Sequence, residues 1–88
     1  MKIPLKLKIG GHIYRIKLID GEEFENSSGE CLEARNLIRL RKDLPQSQLE
    51  ATLFHEILHA INIKLEEKEV EFLAQTFYQV LKDNKLLI

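Results

Sequence analysis

The sequence predicts an α+β domain, a small antiparallel sheet packed on two helices. Three observations predict it. Apolar and polar residues alternate through the opening segment, a shorter alternating pair follows a polar loop, and the remainder carries apolar residues at helical spacing.

In residues 3–9, Ile3, Leu5, Leu7 and Ile9 fall on one face, with lysines or Pro4 between them. After Gly10-Gly11 the alternation resumes, with Tyr14, Ile16 and Leu18 on one side and Ile13, Arg15, Lys17 and Ile19 on the other. Two alternating runs joined by Gly-Gly predict a β-hairpin, because glycine accepts the positive φ of a tight turn. Residues 20–29, DGEEFENSSG, are polar and turn-rich, hence a loop. A second strand pair is expected over residues 30–34 and 37–40, turning at Arg35-Asn36.

The first helix should run from about residue 46 to 62, with Asp43 or Ser47 as N-cap; Ser47 and Glu50 have capping-box spacing. Leu49, Leu53, Ile57 and Ile61, flanked by Phe54 and Leu58, make its apolar stripe. A break over residues 63–65 precedes a last helix of roughly residues 66–83, whose apolar face is Val70, Leu73, Ala74, Phe77, Val80 and Leu81. Phe72 lies off that face and is expected at the surface.

At 88 residues the chain forms one domain, residues 1–88, with a limited core, so a bound metal would contribute to folding as well as chemistry. Thirteen basic against fourteen acidic residues give no net field for nucleic acid or anionic lipid, so neither is an expected partner. The lysine-rich first strand is a solvated face on this reading. Cys31 is the only cysteine, which excludes an internal disulfide and fits a reducing interior. No apolar run approaches the roughly 20 residues that span a bilayer. A soluble cytoplasmic protein is expected, with the oligomeric state left open.

His55-Glu56-Ile57-Leu58-His59 is an HExxH motif inside the first predicted helix. Residues four apart stand one turn above each other, so both imidazoles can converge on one ion from one face. Glu56, rotated about 100° around the axis, can take a proton from water at that ion without ligating it. Chance produces the pattern in roughly one shuffled chain per hundred, so context decides. Context favours a metal site: His55 and His59 lie with Thr52 and Asn62 opposite the centre of the apolar stripe.

Zinc needs a third protein ligand. No His or Asp follows His59 at a useful distance, and Glu66, Glu67, Glu69 and Glu71 form the only supply. In an antiparallel helical pair, the start of the second helix lies beside the end of the first. Glu66 projects near the middle of the apolar face and Glu67 sits on its flank. Glu67 is the chosen ligand, with Glu66 and then Glu69 as alternatives.

The stretch TLFHEILHAI followed by EEKEVEFLAQTFYQVLKDN resembles the small HExxH proteins of phages and prophages. These are similar in pattern to the ImmA/IrrE-like metallopeptidases of the zincin, gluzincin-like class. The opening KIPLKLKIGGHIYRIKLID also resembles that group, so the likeness spans nearly the whole chain. It implies a minimal zincin-like fold, Zn2+ held by His55, His59 and Glu67, Glu56 as catalytic base, and a peptide or protein substrate. It also implies that the strand of residues 36–41 borders the cleft and can pair with an extended peptide.

Two features depart from larger zincins. The connection after His59 is very short, and no donor for an oxyanion is evident. Tyr78 lies about three turns beyond Glu67, while His12 and Tyr14 sit in the N-terminal hairpin. The expected function is a minimal zinc metallopeptidase, with a zinc-stabilised protein-binding module as the alternative. Outside the motif, His12 is expected in an exposed turn and Cys31 half-buried in a strand.

Overall fold

Gly10 and Gly11 both adopt positive φ, +59° and +88°, and close the expected hairpin between β1 (Lys6–Ile9) and β2 (His12–Ile19). In this computed structural model, which describes residues 1–24, 27–61 and 64–87, β3 (Gly29–Leu32) and β4 (Leu37–Arg41) form the second antiparallel pair. A 3₁₀ turn at Glu33–Arg35 joins them, and Asn36 completes the reversal in the left-handed region, at φ +49°. Two helices follow, α1 (Gln46–Ile61) and α2 (Glu67–Asp83). The expected end of the first helix at residue 62, the place of Asn62, the start of the break at Ile63 and part of the 20–29 loop lie outside the described residues.

The α+β class holds, with a sheet that is mixed rather than antiparallel throughout. Strand order is β1-β2-β4-β3, and β2 pairs with β4 in parallel, Ile16 opposite Ile38 and Leu18 opposite Leu40. The chain leaving β2 passes beyond the place β4 will take, lays β3 at the far edge, and turns back to insert β4 in the centre. Alternation shows which face of a strand is apolar and carries no information about strand order. The centre is visible in burial instead: Leu37, Ile38 and Leu40 of β4 are all buried.

Tyr14 and Ile16 of β2, Ile38 and Leu40 of β4, and Leu49 and Leu53 of α1 form the core between sheet and first helix. Of the two faces of β2, the one with Tyr14 and Ile16 turns inward, although Leu18 at its end is 46% exposed, and Leu5, ahead of β1, is 83% exposed. Gly29 lets the edge strand approach α1 closely, since a Cβ there would stand 2.9 Å from both the Arg39 carbonyl and the Thr52 methyl.

Helix α2 packs on α1 along Val70, Ala74 and Tyr78, all buried. This corrects the expected apolar face, because Leu73, Phe77 and Val80 lie 44–60% exposed. Phe72 is exposed as expected. The helix is rotated so that Glu67, Glu71 and Tyr78, at spacings of four and seven, meet polar groups of α1. Its start is fixed by a capping box between Glu66 and Glu69, whose carboxylate accepts the Glu66 N–H at 3.2 Å. The capping box expected at Ser47 does not form. Helix α1 begins at Gln46, as expected, which puts Ser47 inside it, and Glu50 turns into the interior.

Candidate metal centre

The HExxH residues occupy the last turns of α1, where side chains four apart share a face. The Nε2 atoms of His55 and His59 lie 3.2 Å apart. Glu67, in the first turn of α2, brings one carboxylate oxygen to 2.6 Å from His55 Nε2 and the other to 3.1 Å from His59 Nε2. Donor atoms of the three residues all fall within 4.8 Å of one another. Two imidazole nitrogens and a carboxylate oxygen are a common donor set for catalytic zinc.

The spacing can be tested against an ion. Donors about 2.05 Å from a tetrahedral centre stand about 3.3 Å from each other. The 3.2 Å and 3.1 Å separations are already close to that value, and the 2.6 Å separation is a hydrogen-bond length that must open by about 0.7 Å. Because Glu67 is 71% exposed, its carboxylate can make that movement without disturbing the core. The residues fit a metal ion.

The rivals for third ligand have other partners. Glu69 reaches back to the helix start and Glu66 joins it in the capping box, so neither is directed at the histidines. Glu71, one of the four acids the sequence offered as ligand, takes a different place, beside a histidine and not among the converging donors. Its Oε2 lies 2.9 Å from His55 Nδ1 and can accept that nitrogen's proton when the Nε2 lone pair is given to an ion. The signal was present, since Glu71 follows Glu67 by four, the same spacing that relates the two histidines. Gln75, one turn further, donates to Glu71 at 3.0 Å.

Glu56 is only 4% exposed, and no hydrogen bond holds its carboxylate among the described residues. Burial pushes its pKa up to about 7, opposed by His55 and reinforced by the negative charges of Glu67, Glu30 and Glu71. A carboxylate poised near neutrality can both take and return a proton.

These residues line a cleft of about 1100 Å³. Its floor is α1 from Ser47 to His59, one wall is the segment Ser27 to Glu33 including edge strand β3, and the other is α2 from Glu67 to Asp83. The strand at the cleft is therefore β3, which corrects the expectation for residues 36–41. Strand β4 is paired on both sides and has no free edge.

Other candidates fall outside this group. His12 is exposed at the start of β2 and Tyr14 is buried in the core. Tyr78 lines the cleft but donates its hydroxyl to buried Glu50, which also accepts from Gln46 and pairs with the Met1 ammonium at 3.0 Å. Cys31 is half-buried, and burial, followed by the charges of Glu56 and Glu33, pushes its thiol up to about 11, where it is a poor nucleophile.

Fold and site together define a small α+β domain with a His/His/Glu group able to bind a metal ion. No family model, curated protein or solved structure matches the chain. Among the described residues no helix is long and apolar enough to cross a membrane.

Proposed function

We propose that the protein is a minimal zinc metallopeptidase-like hydrolase that cleaves extended peptides in this cleft. The observation that carries the reading is the convergence of His55, His59 and Glu67 within 4.8 Å, beside a buried carboxylate with no hydrogen-bond partner among the described residues. Zinc, when bound, supplies a Lewis acid for the peptide carbonyl and lowers the pKa of water. Glu56 accepts the proton released as water adds to the carbonyl and hands it to the departing amine. Glu71 holds the His55 ring in its orientation. The free edge of β3 offers main-chain groups with which an extended substrate can pair.

Metal analysis and a peptide library test this together. About one zinc per chain is expected, lost in His59→Ala and kept in Glu56→Gln, with cleavage abolished in both. A wild type that carries stoichiometric zinc yet cleaves nothing, indistinguishable from Glu56→Gln, would remove the enzyme reading. The second reading, a zinc-stabilised protein-binding module, is favoured by the exposed strip of Leu73, Phe77 and Val80 on α2. It predicts a function that survives Glu56→Gln and is lost when that strip is made polar.

A further inference from the structure

The charges lining the cleft are one-sided. Among the described residues Glu30, Glu33, Glu56, Glu67, Glu71 and Asp83 face it, against the single ammonium of Lys82. That ammonium is itself offset by an internal carboxylate: it lies 3.5 Å from buried Glu50 and 5.6 Å from the centre of the Tyr78 ring. Glu30 is partly neutralised by Arg39, its ion-pair partner at 3.0 Å. A divalent cation held by the histidines and Glu67 still leaves the lining three charges negative. Clefts lined by one sign of charge concentrate ligands of the other.

The carboxylates alone would define no site. The ligand-binding position is set independently by the group able to hold a metal and by Glu56, more than nine-tenths buried, unpartnered among the described residues and facing the cleft. What the rim adds is selectivity. Glu33 directly follows the edge strand, and Asp83 closes the opposite wall at the end of α2. The contacts of Glu50 with Tyr78 and Lys82 bring the end of α2 level with the first turns of α1. From there to His55 is about seven residues of helix, roughly 10 Å, which an extended chain covers in about three residues.

Resting on the peptidase reading, we propose that the cleft selects extended peptides bearing lysine or arginine, with Glu33 and Asp83 as the side chains that recognise the positive charge. One basic residue lies about three positions from the cleaved bond, beside Asp83. Two exposed ion pairs together carry a preference of about tenfold over a glutamate-bearing peptide, and this preference fades as salt rises.

The test uses three decapeptides with one shared apolar centre, flanked by lysines, serines or glutamates. Cleavage is followed with the zinc-loaded full chain, and binding by fluorescence anisotropy with zinc-loaded Glu56→Gln. The lysine peptide should be favoured in both assays, with the ratio falling toward one in the Glu33→Gln/Asp83→Asn double variant or at high salt. Cleavage without charge preference overturns the selectivity and leaves the peptidase reading standing. Charge-selective binding without any cleavage sustains the selectivity and removes the peptidase reading. Neither binding nor cleavage of any peptide overturns both.

Discussion

Replacing Glu71 isolates the role of a residue that touches a ligand and not the ion. Its Oε2 stands 2.9 Å from His55 Nδ1, while Gln75 donates to its other oxygen. Removing a carboxylate that orients a ligating histidine costs about 10–100-fold in metal affinity. Glu71 is 56% exposed, so solvent screens the contact and the lower end applies, about tenfold or about 1.4 kcal/mol. Glu71→Gln should lose less than Glu71→Ala, because an amide oxygen can still accept from Nδ1–H. Glu67→Ala removes a donor atom outright and should cost more than about a hundredfold, given that even outer-partner losses reach that level. Glu69→Ala is the control, since its carboxylate bonds the helix start and should change stability without changing zinc affinity. Competition with a chromophoric chelator measures all four. The reasoning fails if Glu71→Ala binds zinc like the wild type, or if Glu69→Ala weakens binding as much as Glu67→Ala.

Zinc at a hundredfold excess over its Kd should stabilise the fold by about 2.7 kcal/mol, raising Tm by about 10–20 °C in a scan that a chelator reverses. Tyr78→Phe removes a hydrogen bond to a buried carboxylate and should cost about 2 kcal/mol in urea unfolding. Burial pushes the Glu50 carboxyl up, but hydrogen bonds from Tyr78, Gln46 and the N-terminal ammonium, with the charge of Lys82, more than offset it and hold the pKa at about 2, below the ordinary 4.5. A depressed folded-state pKa contributes stability that is complete above pH 4.5 and lost as pH falls toward 2, and Tyr78→Phe should flatten that acid limb. Cys31 should react with iodoacetamide at pH 8 far more slowly in the folded than in the urea-unfolded chain.

Much of this architecture was legible because local rules govern it. Gly10-Gly11 demanded positive φ, and the HExxH spacing placed two imidazoles on one helical face. Where an antiparallel helix must begin brought Glu66 and Glu67 nearest the histidines, and the flank position of Glu67 decided between them. What escaped depended on contacts between segments remote in sequence. The central position of β4 is set by a crossover that alternation cannot encode, so the free edge was assigned to the wrong strand. Glu50 had the spacing of a capping acid, and only tertiary structure supplies Tyr78, 28 residues away, to hold it inside. Leu73, Phe77 and Val80 had the periodicity of a buried face, yet nothing in the sequence required that face to meet α1.

The rotation of α2 ties the metal-binding group to the fold itself. An apolar seam through Leu73, Phe77 and Val80 would bury more hydrocarbon against α1, but it would swing Glu67 and Glu71 away from the histidines. The observed face instead spends its contacts on small Ala74 and on polar pairs, with Val70 as the one branched aliphatic side chain it fully buries among the described residues. The exposed Glu67 and Glu71 pairs contribute little each, so the start of α2 is held weakly, and the buried Tyr78–Glu50 bond and the Phe54 ring contacts hold it further along. An ion drawing one ligand from α2 and two from α1 would clamp the helices where hydrophobic contact is thin. The apolar strip left outside is then a consequence of turning the chemical face inward.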